Sequence, residues 1–238
     1  MNRFAGKSGG RTADRCTGCG QGHDVQYGRR RLIFNAIAGL AAIGWPGAAA
    51  AQALPRLMVL GDSLTAGFGL PSADLAFPAR LEAALRARGH QLQVFNAGVS
   101  GDTSAGGLAR LDWVLRQANP RWAIVELGAN DGLRGLAPAA MRANLDRIVA
   151  RLKAANVAVL LAGMMAPPNL GRDYAEEFNA VFAQVAEQHG VALYPFFLDG
   201  VAADRALNQG DGIHPNAQGV ELIVSRILPF VERLIAGT

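Results

Sequence analysis

The sequence predicts an α/β fold, a three-layer α/β/α sandwich built on a five-stranded parallel sheet. From Pro55 onward, short apolar runs alternate with longer amphipathic segments. The runs are almost continuous in Val, Leu, Ile and Ala, which is typical of strands covered on both faces. A strand followed by a helix recurs five times, and this alternation indicates one parallel sheet between two layers of helices.

Each apolar run is a predicted strand, and each amphipathic segment is a predicted helix. The strands are expected at residues 57–60, 92–95, 122–127, 157–162 and 191–194. The helices follow from apolar residues spaced three or four apart, which form a buried stripe. These stripes are Phe77, Leu81 and Leu85; Leu108, Leu111 and Leu115; Met141, Leu145, Ile148 and Leu152; Phe178, Phe182 and Val185; and Val220, Ile223, Ile227 and Val231.

Proline and glycine mark the expected helix boundaries. Pro138 and Pro215 suit the first turns of the third and the last helix. Gly89 and Gly190 are expected to cap helix C-termini, and Pro229 to kink the last helix or end it early. With no internal repeat or linker, residues 54–238 are predicted to form a single domain.

Residues 1–53 are predicted to be a leader with a signal peptide that is removed on export. Three arginines at 29–31 precede an apolar run at 32–43, and small residues at 48–53 offer cleavage sites. The run is about a dozen residues, whereas a membrane-spanning helix needs roughly 20. We therefore expect a periplasmic or secreted protein without a membrane span, and the arginines leave both the general and the twin-arginine export routes open.

Charge and cysteine content exclude several classes of function for residues 54–238. Seven of the 23 basic and two of the 19 acidic residues lie in the leader, so 16 basic and 17 acidic residues remain. This balance argues against nucleic-acid binding. Cys16 and Cys19 are both in the leader, which excludes disulfides and a cysteine nucleophile for the domain. The two cysteines and His23 have the spacing of metal ligands, but the chain offers no second ligand pair there, so no metal is expected at this position.

A serine follows the first predicted strand, in Gly61-Asp62-Ser63-Leu64. The carboxyl ends of parallel strands are where open α/β sheets place their chemistry, so Ser63 is a candidate nucleophile. The alternative is a simple turn whose Asp and Ser cap a helix. Asp62 is expected to have only that turn or capping role.

A serine nucleophile needs a neighbouring base, and elimination favours His214. His23 lies in the leader, and His90 and His189 stand at helix ends, where exposed caps are expected. Lys153, the only lysine outside the leader, falls in a solvated helical pattern.

Asp211 stands three residues before His214, with Gly212 allowing a compact turn between them. A carboxylate at that spacing orients the imidazole and favours the imidazolium formed during catalysis. The alternative is that Asp211 caps the helix expected near Pro215.

Donors for an oxyanion are expected on the loops that follow the strands. Ser63 offers its own backbone N–H, and glycines in the loop at 96–103 allow another N–H to face a cleft. After the third strand, Asn130 can direct its side-chain amide inward. Ordinary turn chemistry is the alternative for both loops.

Four ordered blocks together resemble those of the GDSL or SGNH hydrolase family. They are Gly61-Asp62-Ser63-Leu64, a glycine in the second loop, Gly128-Ala129-Asn130-Asp131 and Asp211-Gly212-Ile213-His214. The resemblance covers residues 55–238 and is closest to the exported branch of arylesterases and multifunctional acyl-CoA thioesterase, protease and lysophospholipase enzymes. Matching segments are Val99-Ser100-Gly101-Asp102-Thr103-Ser104, Pro120-Arg121-Trp122, Val125-Glu126-Leu127-Gly128 and Asn130-Asp131-Gly132-Leu133-Arg134-Gly135.

The resemblance implies a flavodoxin-like SGNH hydrolase fold and a serine esterase acting on aryl esters, acyl-CoA and lysophospholipids. It makes Ser63 the nucleophile, His214 the base and Asp211 its orienting partner. The oxyanion hole would comprise Ser63, Gly101 and Asn130. Ala129 replaces a glycine common in this branch and would stiffen the Asn130 loop.

The expected partner is a small acyl ester or thioester bound by a monomer, with no metal or organic cofactor. Leu133, Met164, Ala166 and Pro167 are candidate substrate-binding residues, and Leu136 and Leu170 lie near the same loops. Their apolar side chains favour an acyl chain, although a place in the core would explain them equally. A carbohydrate O-acetylesterase and a non-catalytic module that binds an anion at the helix after Ser63 are the alternatives.

Overall fold

The computed structural model describes residues 53–237. The predicted leader at residues 1–53, with its signal peptide and the two cysteines, lies outside the described residues apart from Ala53.

Strands and helices alternate along the described residues. The strands are β1 (Arg56–Gly61), β2 (Gln93–Gly98), β3 (Trp122–Glu126), β4 (Ala158–Ala162) and β5 (Ala192–Tyr194). The helices are α1 (Ser63–Ala66), α2 (Phe77–Ala87), α3 (Ser104–Ala118), α4 (Ala129–Leu133), α5 (Pro138–Ala154), α6 (Arg172–His189) and α7 (Ala217–Ala236). Short 3₁₀ turns at Ala73–Leu75 and Pro168–Leu170 complete the set within residues 53–237.

The five described strands form one parallel sheet in the order β2-β1-β3-β4-β5. Helices cover both of its faces: α2 packs against α7 on one side, and α3, α5 and α6 pack in series on the other. The predicted three-layer α/β/α fold is confirmed. The central strands β1 and β3 are buried almost throughout, which explains their unbroken apolar sequences.

The strand order reverses beside β1, because β2 lies on one side of it and β3 on the other. Ligands of doubly wound sheets bind at the carboxyl edge of such a switch point. Gly61, at the end of β1, pairs with Gly98 of β2 and with Glu126 of β3. A Cβ on Gly98 would lie 2.5 Å from the Ala66 backbone nitrogen, so glycine lets α1 approach the sheet closely.

Several predicted boundaries need correction. Pro229 does not end α7, which continues to Ala236, because buried apolar residues on both sides of the proline keep the helix packed. Pro215 precedes this helix, whose N-cap is Asn216; the Asn216 side chain accepts bonds from the backbone N–H groups of Gln218 and Gly219.

Two short helices follow the central strands. α1 begins at Ser63, in agreement with the helix expected after the serine, whereas α4 begins at Ala129 in a segment expected to be a loop. Both are too short to produce an apolar periodicity that could be read from the sequence. At the sheet edge, β2 extends to Gly98, so Asn96 belongs to the strand and not to the following loop.

None of the helices formed by residues 53–237 has the length and apolarity that crossing a membrane requires.

Candidate active site

The strand-to-helix turn after β1 presents Ser63. Asp62 is the N-cap of α1, and its Oδ1 accepts a hydrogen bond of 3.0 Å from the Leu64 N–H. Ser63 is the first residue of that helix, where backbone N–H groups have no partner within the helix. The Ser63 hydroxyl and backbone N–H therefore lie together at the carboxyl edge of the sheet.

A continuous chain of hydrogen bonds joins Ser63, His214 and Asp211. His214 Nε2 lies 2.9 Å from Ser63 Oγ, and His214 Nδ1 lies 2.6 Å from Asp211 Oδ2. The imidazole therefore has one nitrogen on the hydroxyl and the other on a carboxylate. This arrangement can accept the proton of an attacking serine and stabilise the resulting imidazolium.

The Asp211 carboxylate is itself held by the backbone. Its Oδ1 accepts bonds from the Ile213 N–H at 2.9 Å and the His214 N–H at 3.0 Å. These backbone bonds, that of His214 first, and the side-chain bond with His214 lower the pKa of Asp211 to about 2. Asp211 therefore remains ionised at any pH at which a histidine can act as a base.

The loop carrying Asp211 and His214 is compact. Gly212 has φ of 71°, a left-handed conformation that favours glycine. The Gln209 N–H donates to the His214 carbonyl at 2.7 Å, and Asn208 forms an antiparallel bridge with Pro215. The predicted turn at this position is present, and it holds His214 over Ser63.

Gly101 and Asn130 border the same cleft as Ser63. Gly101 has φ of 84°, and its carbonyl accepts a bond of 2.6 Å from Arg134 Nη2. Asn130 lies in the first turn of α4, and its Nδ2 donates to Asp62 Oδ2 at 3.0 Å. An amide nitrogen carries two hydrogens, so one N–H remains for an oxyanion.

Polar contacts that no sequence pattern indicates join the three segments carrying these donors. Asp131 is buried and accepts from the Ser104 N–H at 2.7 Å and the Ser104 hydroxyl at 2.6 Å, which ties α4 to α3. Arg110 pairs with Asp102 at 2.6 Å and also donates to the Gly61 carbonyl at 3.0 Å. The loop after β2 is therefore fixed to the end of β1.

Asp62 has a larger role than the predicted cap. Its side chain is fully buried, and it bonds both Leu64 and Asn130. Burial raises the pKa of Asp62 to about 6, although the hydrogen bonds from Leu64 and Asn130 oppose this rise. The only sequence signal was its position beside Ser63.

Glu126 is a second buried carboxyl group at this edge. Burial, and then the nearby charge of Asp62, raise the pKa of Glu126 well above its ordinary value. Its Oε2 lies 3.4 Å from the Asp62 backbone nitrogen, and its Oε1 has no hydrogen-bond partner among the described residues. The neutral acid is the form that this environment favours.

The cleft in front of Ser63 and His214 has a volume of about 630 Å³ and is mostly apolar. All four candidate substrate-binding residues border it, namely Leu133, Met164, Ala166 and Pro167. Phe68 and Ile213 also line it, and neither was predicted to do so. Leu136 and Leu170 are not among its lining residues.

The other candidate bases lie outside this cleft. His189 Nε2 is 2.8 Å from Asp146 Oδ1, and His90 is 3.5 Å from Glu232. Both histidines are half-buried beside carboxylates of other helices, so the expectation of exposed caps was wrong. Lys153 lies in the last turn of α5, where it donates to the His189 carbonyl. Within residues 53–237, no cluster of three or more His, Cys, Asp or Glu side chains could hold a metal ion.

Comparison with known proteins gives consistent matches. The model of the GDSL-like lipase/acylhydrolase family matches residues 59–222. The chain is 42% identical over 187 residues to esterase TesA of Pseudomonas aeruginosa, covering 79% of this chain and 91% of that protein. It is 42% identical over 185 residues to thioesterase 1/protease 1/lysophospholipase L1 of Escherichia coli K12, covering 78% of this chain and 87% of that protein.

An arylesterase of Vibrio mimicus is 39% identical over 170 residues, covering 71% of this chain and 84% of that protein. Among solved structures, the crystal structure of TesA is similar with a TM-score of 0.72 and 42% identity, covering 75% of this chain and 99% of that one. The region matched by the family model contains every residue of the candidate site, from Ser63 to His214.

Proposed function

The chain belongs to the GDSL-like lipase/acylhydrolase family and is an ester hydrolase, and we propose that it works by two-step acyl transfer through Ser63, His214 and Asp211. The observation that carries this proposal is the unbroken chain of hydrogen bonds from Ser63 Oγ through His214 to Asp211.

In the first step, Ser63 Oγ attacks the carbonyl carbon of the ester while His214 Nε2 takes the hydroxyl proton. The ionised Asp211 keeps His214 Nδ1 protonated and stabilises the imidazolium. When the tetrahedral intermediate collapses, the bond to the leaving oxygen or sulfur breaks and His214 donates its proton to that atom. An acyl group then remains on Ser63.

In the second step, a water molecule attacks the acyl-enzyme. His214 Nε2 takes a proton from this water, a second tetrahedral intermediate forms, and its collapse returns the proton to Ser63 Oγ. The products of this step are a carboxylic acid and the free enzyme, so the two steps together consume only the ester and one water molecule.

The oxyanion of both intermediates would be stabilised by the backbone N–H groups of Ser63 and Gly101 and by the free N–H of Asn130. Their segments are held by the Asp62–Asn130, Arg134–Gly101 and Arg110–Gly61 contacts, so the donors need little reorganisation during reaction.

Acyl esters and thioesters are the substrates that the cleft favours. Its lining by Leu133, Met164, Ala166 and Pro167 suits an acyl chain and offers few polar partners to a sugar. Relatives named esterase, thioesterase, lysophospholipase and arylesterase support this substrate class over an acetylated carbohydrate.

A serine-directed fluorophosphonate tests the mechanism. We expect one equivalent to label the Ser63 peptide and to abolish hydrolysis of p-nitrophenyl butyrate. Ser63→Ala should remain folded, bind no label and lose turnover. Labelling at another residue, or full activity of Ser63→Ala, would overturn the assignment.

We also propose that the mature enzyme is an exported monomer. Support for export comes from the arginines, apolar run and small-residue sites in residues 29–53. N-terminal sequencing after cell fractionation should find a start near residue 54 outside the cytoplasm, and sedimentation should give a single-chain mass. An unprocessed cytoplasmic chain would contradict the first expectation, and a larger mass the second.

A further inference from the structure

The Phe68 ring lies against the imidazole of His214. The ring centroids are 4.7 Å apart and the planes are tilted by 41°. Phe68 follows α1, in a turn between Gly67 and Gly69, which both have positive φ. Its side chain is 51% exposed although it lines the cleft. One part of the ring therefore touches His214, and the rest faces the open cleft.

Gln209 fixes Phe68 relative to His214. Its Nε2 donates to the Phe68 carbonyl at 2.8 Å and to the Pro215 carbonyl at 3.0 Å. The Gln209 backbone N–H donates to the His214 carbonyl. One side chain thus joins the turn that carries Phe68 to the loop that carries His214, so the backbone that bears the aromatic ring is held beside that of the base.

The chemistry determines which half of the substrate meets Phe68. His214 Nε2 must donate a proton to the leaving oxygen, so that oxygen has to come within hydrogen-bond distance of the imidazole. The substituent on the leaving oxygen then lies alongside the imidazole, where the exposed part of the Phe68 ring is found.

The acyl half of the substrate is expected to contact other residues of the cleft. Leu133 follows β3 and Met164 follows β4, whereas Phe68 follows β1. In the sheet order, β1 and β4 are separated by β3, a spacing of roughly 10 Å between their ends. The strand end that precedes Met164 is therefore two strands away from the one that precedes Phe68, and the strand end that precedes Leu133 lies between them.

We propose that Phe68 determines the specificity for the leaving group by packing against an aromatic alcohol. Phenolic esters are then preferred to alkyl esters of the same acid, while Leu133 and Met164 act on the length of the acyl chain. This inference rests on the proposed roles of Ser63 and His214, because they decide which half of the ester lies beside Phe68.

The test compares phenyl butyrate with ethyl butyrate in the wild type and in Phe68→Leu. Intrinsic reactivity differs between the two esters, but it cancels when the variant and the wild type are compared on each ester. Loss of an aromatic pair should lower kcat/KM for the phenyl ester about threefold to tenfold more than for the ethyl ester. The ratio of octanoate to butyrate activity, measured with one alcohol, should stay unchanged.

Two further variants provide the matched controls. Trp113→Leu removes an aromatic ring of similar exposure (57%) that does not line the cleft, and it should change neither ratio. Leu133→Ala should change the octanoate-to-butyrate ratio and leave the phenyl-to-ethyl ratio as in the wild type.

Equal losses on both esters in Phe68→Leu would overturn the inference, because Phe68 would then act only through His214. A changed acyl-length ratio in Phe68→Leu would also overturn it. Melting curves establish that each variant is folded. Failure of the proposed function would look different, since Ser63→Ala would then still hydrolyse both esters.

Discussion

At the scale of single residues, Asp62 and Asn130 are coupled by one hydrogen bond. Asp62 Oδ2 accepts one N–H of Asn130, so the carboxylate determines which way the amide faces. The second N–H is then available to an oxyanion. We therefore propose that Asp62 is a positioning residue, which acts through Asn130 and not on the substrate.

We expect Asn130→Ala to lower kcat by ~10²–10³. Asp62→Asn should lower it by at least about tenfold, because an amide offers one acceptor oxygen where the two carboxylate oxygens accept from Leu64 and Asn130. The double variant should be no worse than Asn130→Ala alone, since Asp62 acts through Asn130. Steady-state kinetics of all three variants with p-nitrophenyl butyrate check this expectation.

Asp173→Asn is the control, because it removes a negative charge from an exposed surface position. It should have wild-type kcat. Additive losses in the double variant would mean that Asp62 supports catalysis by another route.

Burial of Asp62 also predicts a dependence of stability on pH. The pKa of Asp62 is about 6 in the folded protein, above the ordinary 3.8, so the folded state holds more protons between these values. The free energy of unfolding should therefore fall as pH rises through this window, by roughly 3 kcal/mol. The raised pKa of Glu126 acts in the same direction.

Urea unfolding at pH 4.5 and 7.5 measures this effect. Asp62→Asn should show a smaller decrease between the two pH values than the wild type, because it has no carboxyl group to ionise at this position. An equal decrease in the free energy of unfolding of both proteins would mean that another group, and not Asp62, titrates in this range.

At the scale of elements, the candidate site depends on short segments at strand ends. α1 and α4 contain four and five residues, and the loop after β2 contributes Gly101. Such segments have little intrinsic stability, so their geometry depends on contacts with neighbouring elements. Asp131 with Ser104 and Arg110 with Asp102 supply these contacts.

Gly101→Ala tests the loop after β2. The φ of 84° is unfavourable for alanine, while the nearest atom to a new Cβ would be Arg134 Nη2 at an ordinary 3.7 Å. The substitution should therefore act through the backbone: it should lower the free energy of unfolding by about 1 kcal/mol and also lower kcat.

Gly89→Ala provides the matched comparison. Gly89 has φ of 89° in open space and follows α2, away from the cleft. We expect a similar loss of stability with wild-type kcat. If the two variants lost activity equally, the effect of Gly101→Ala would reflect general destabilisation and not the oxyanion donor.

At the scale of the whole molecule, one core supports the site. The buried apolar cluster runs from Leu57 to Val231 and includes residues of every strand and of helices on both faces. The strand order brings the ends of β1, β2 and β3 together, so their loops meet at the switch point. The site therefore depends on the pairing of β1 with both β2 and β3.

A chain that begins at Leu54 should fold and hydrolyse esters as well as the full-length chain, because the core begins at Leu57. A single cooperative melting transition and an unchanged kcat/KM are the expected results. Aggregation, or loss of the transition, would mean that the domain needs residues from the predicted leader.

Local patterns in the sequence were sufficient to predict the strands, the five long helices and the residues of the candidate triad. Buried strands and amphipathic helices can be predicted from the apolar pattern, because the spacing of apolar residues indicates which faces of an element are buried. Ser63 and His214 emerged because the domain offers few other nucleophiles and bases. The oxyanion donors and the apolar cleft residues were also named, and the catalytic and binding roles of all these residues, the triad included, stay predictions.

Contacts between distant loops were decided only by the tertiary structure. The Asp62–Asn130 bond spans 68 positions in the sequence, and the Phe68–His214 contact joins the two ends of the domain. The full burial of Glu126 likewise depends on which strands and helices surround it. Periodicity reports the surroundings of one segment at a time, whereas these contacts depend on strand order and register, which place strand-end loops side by side.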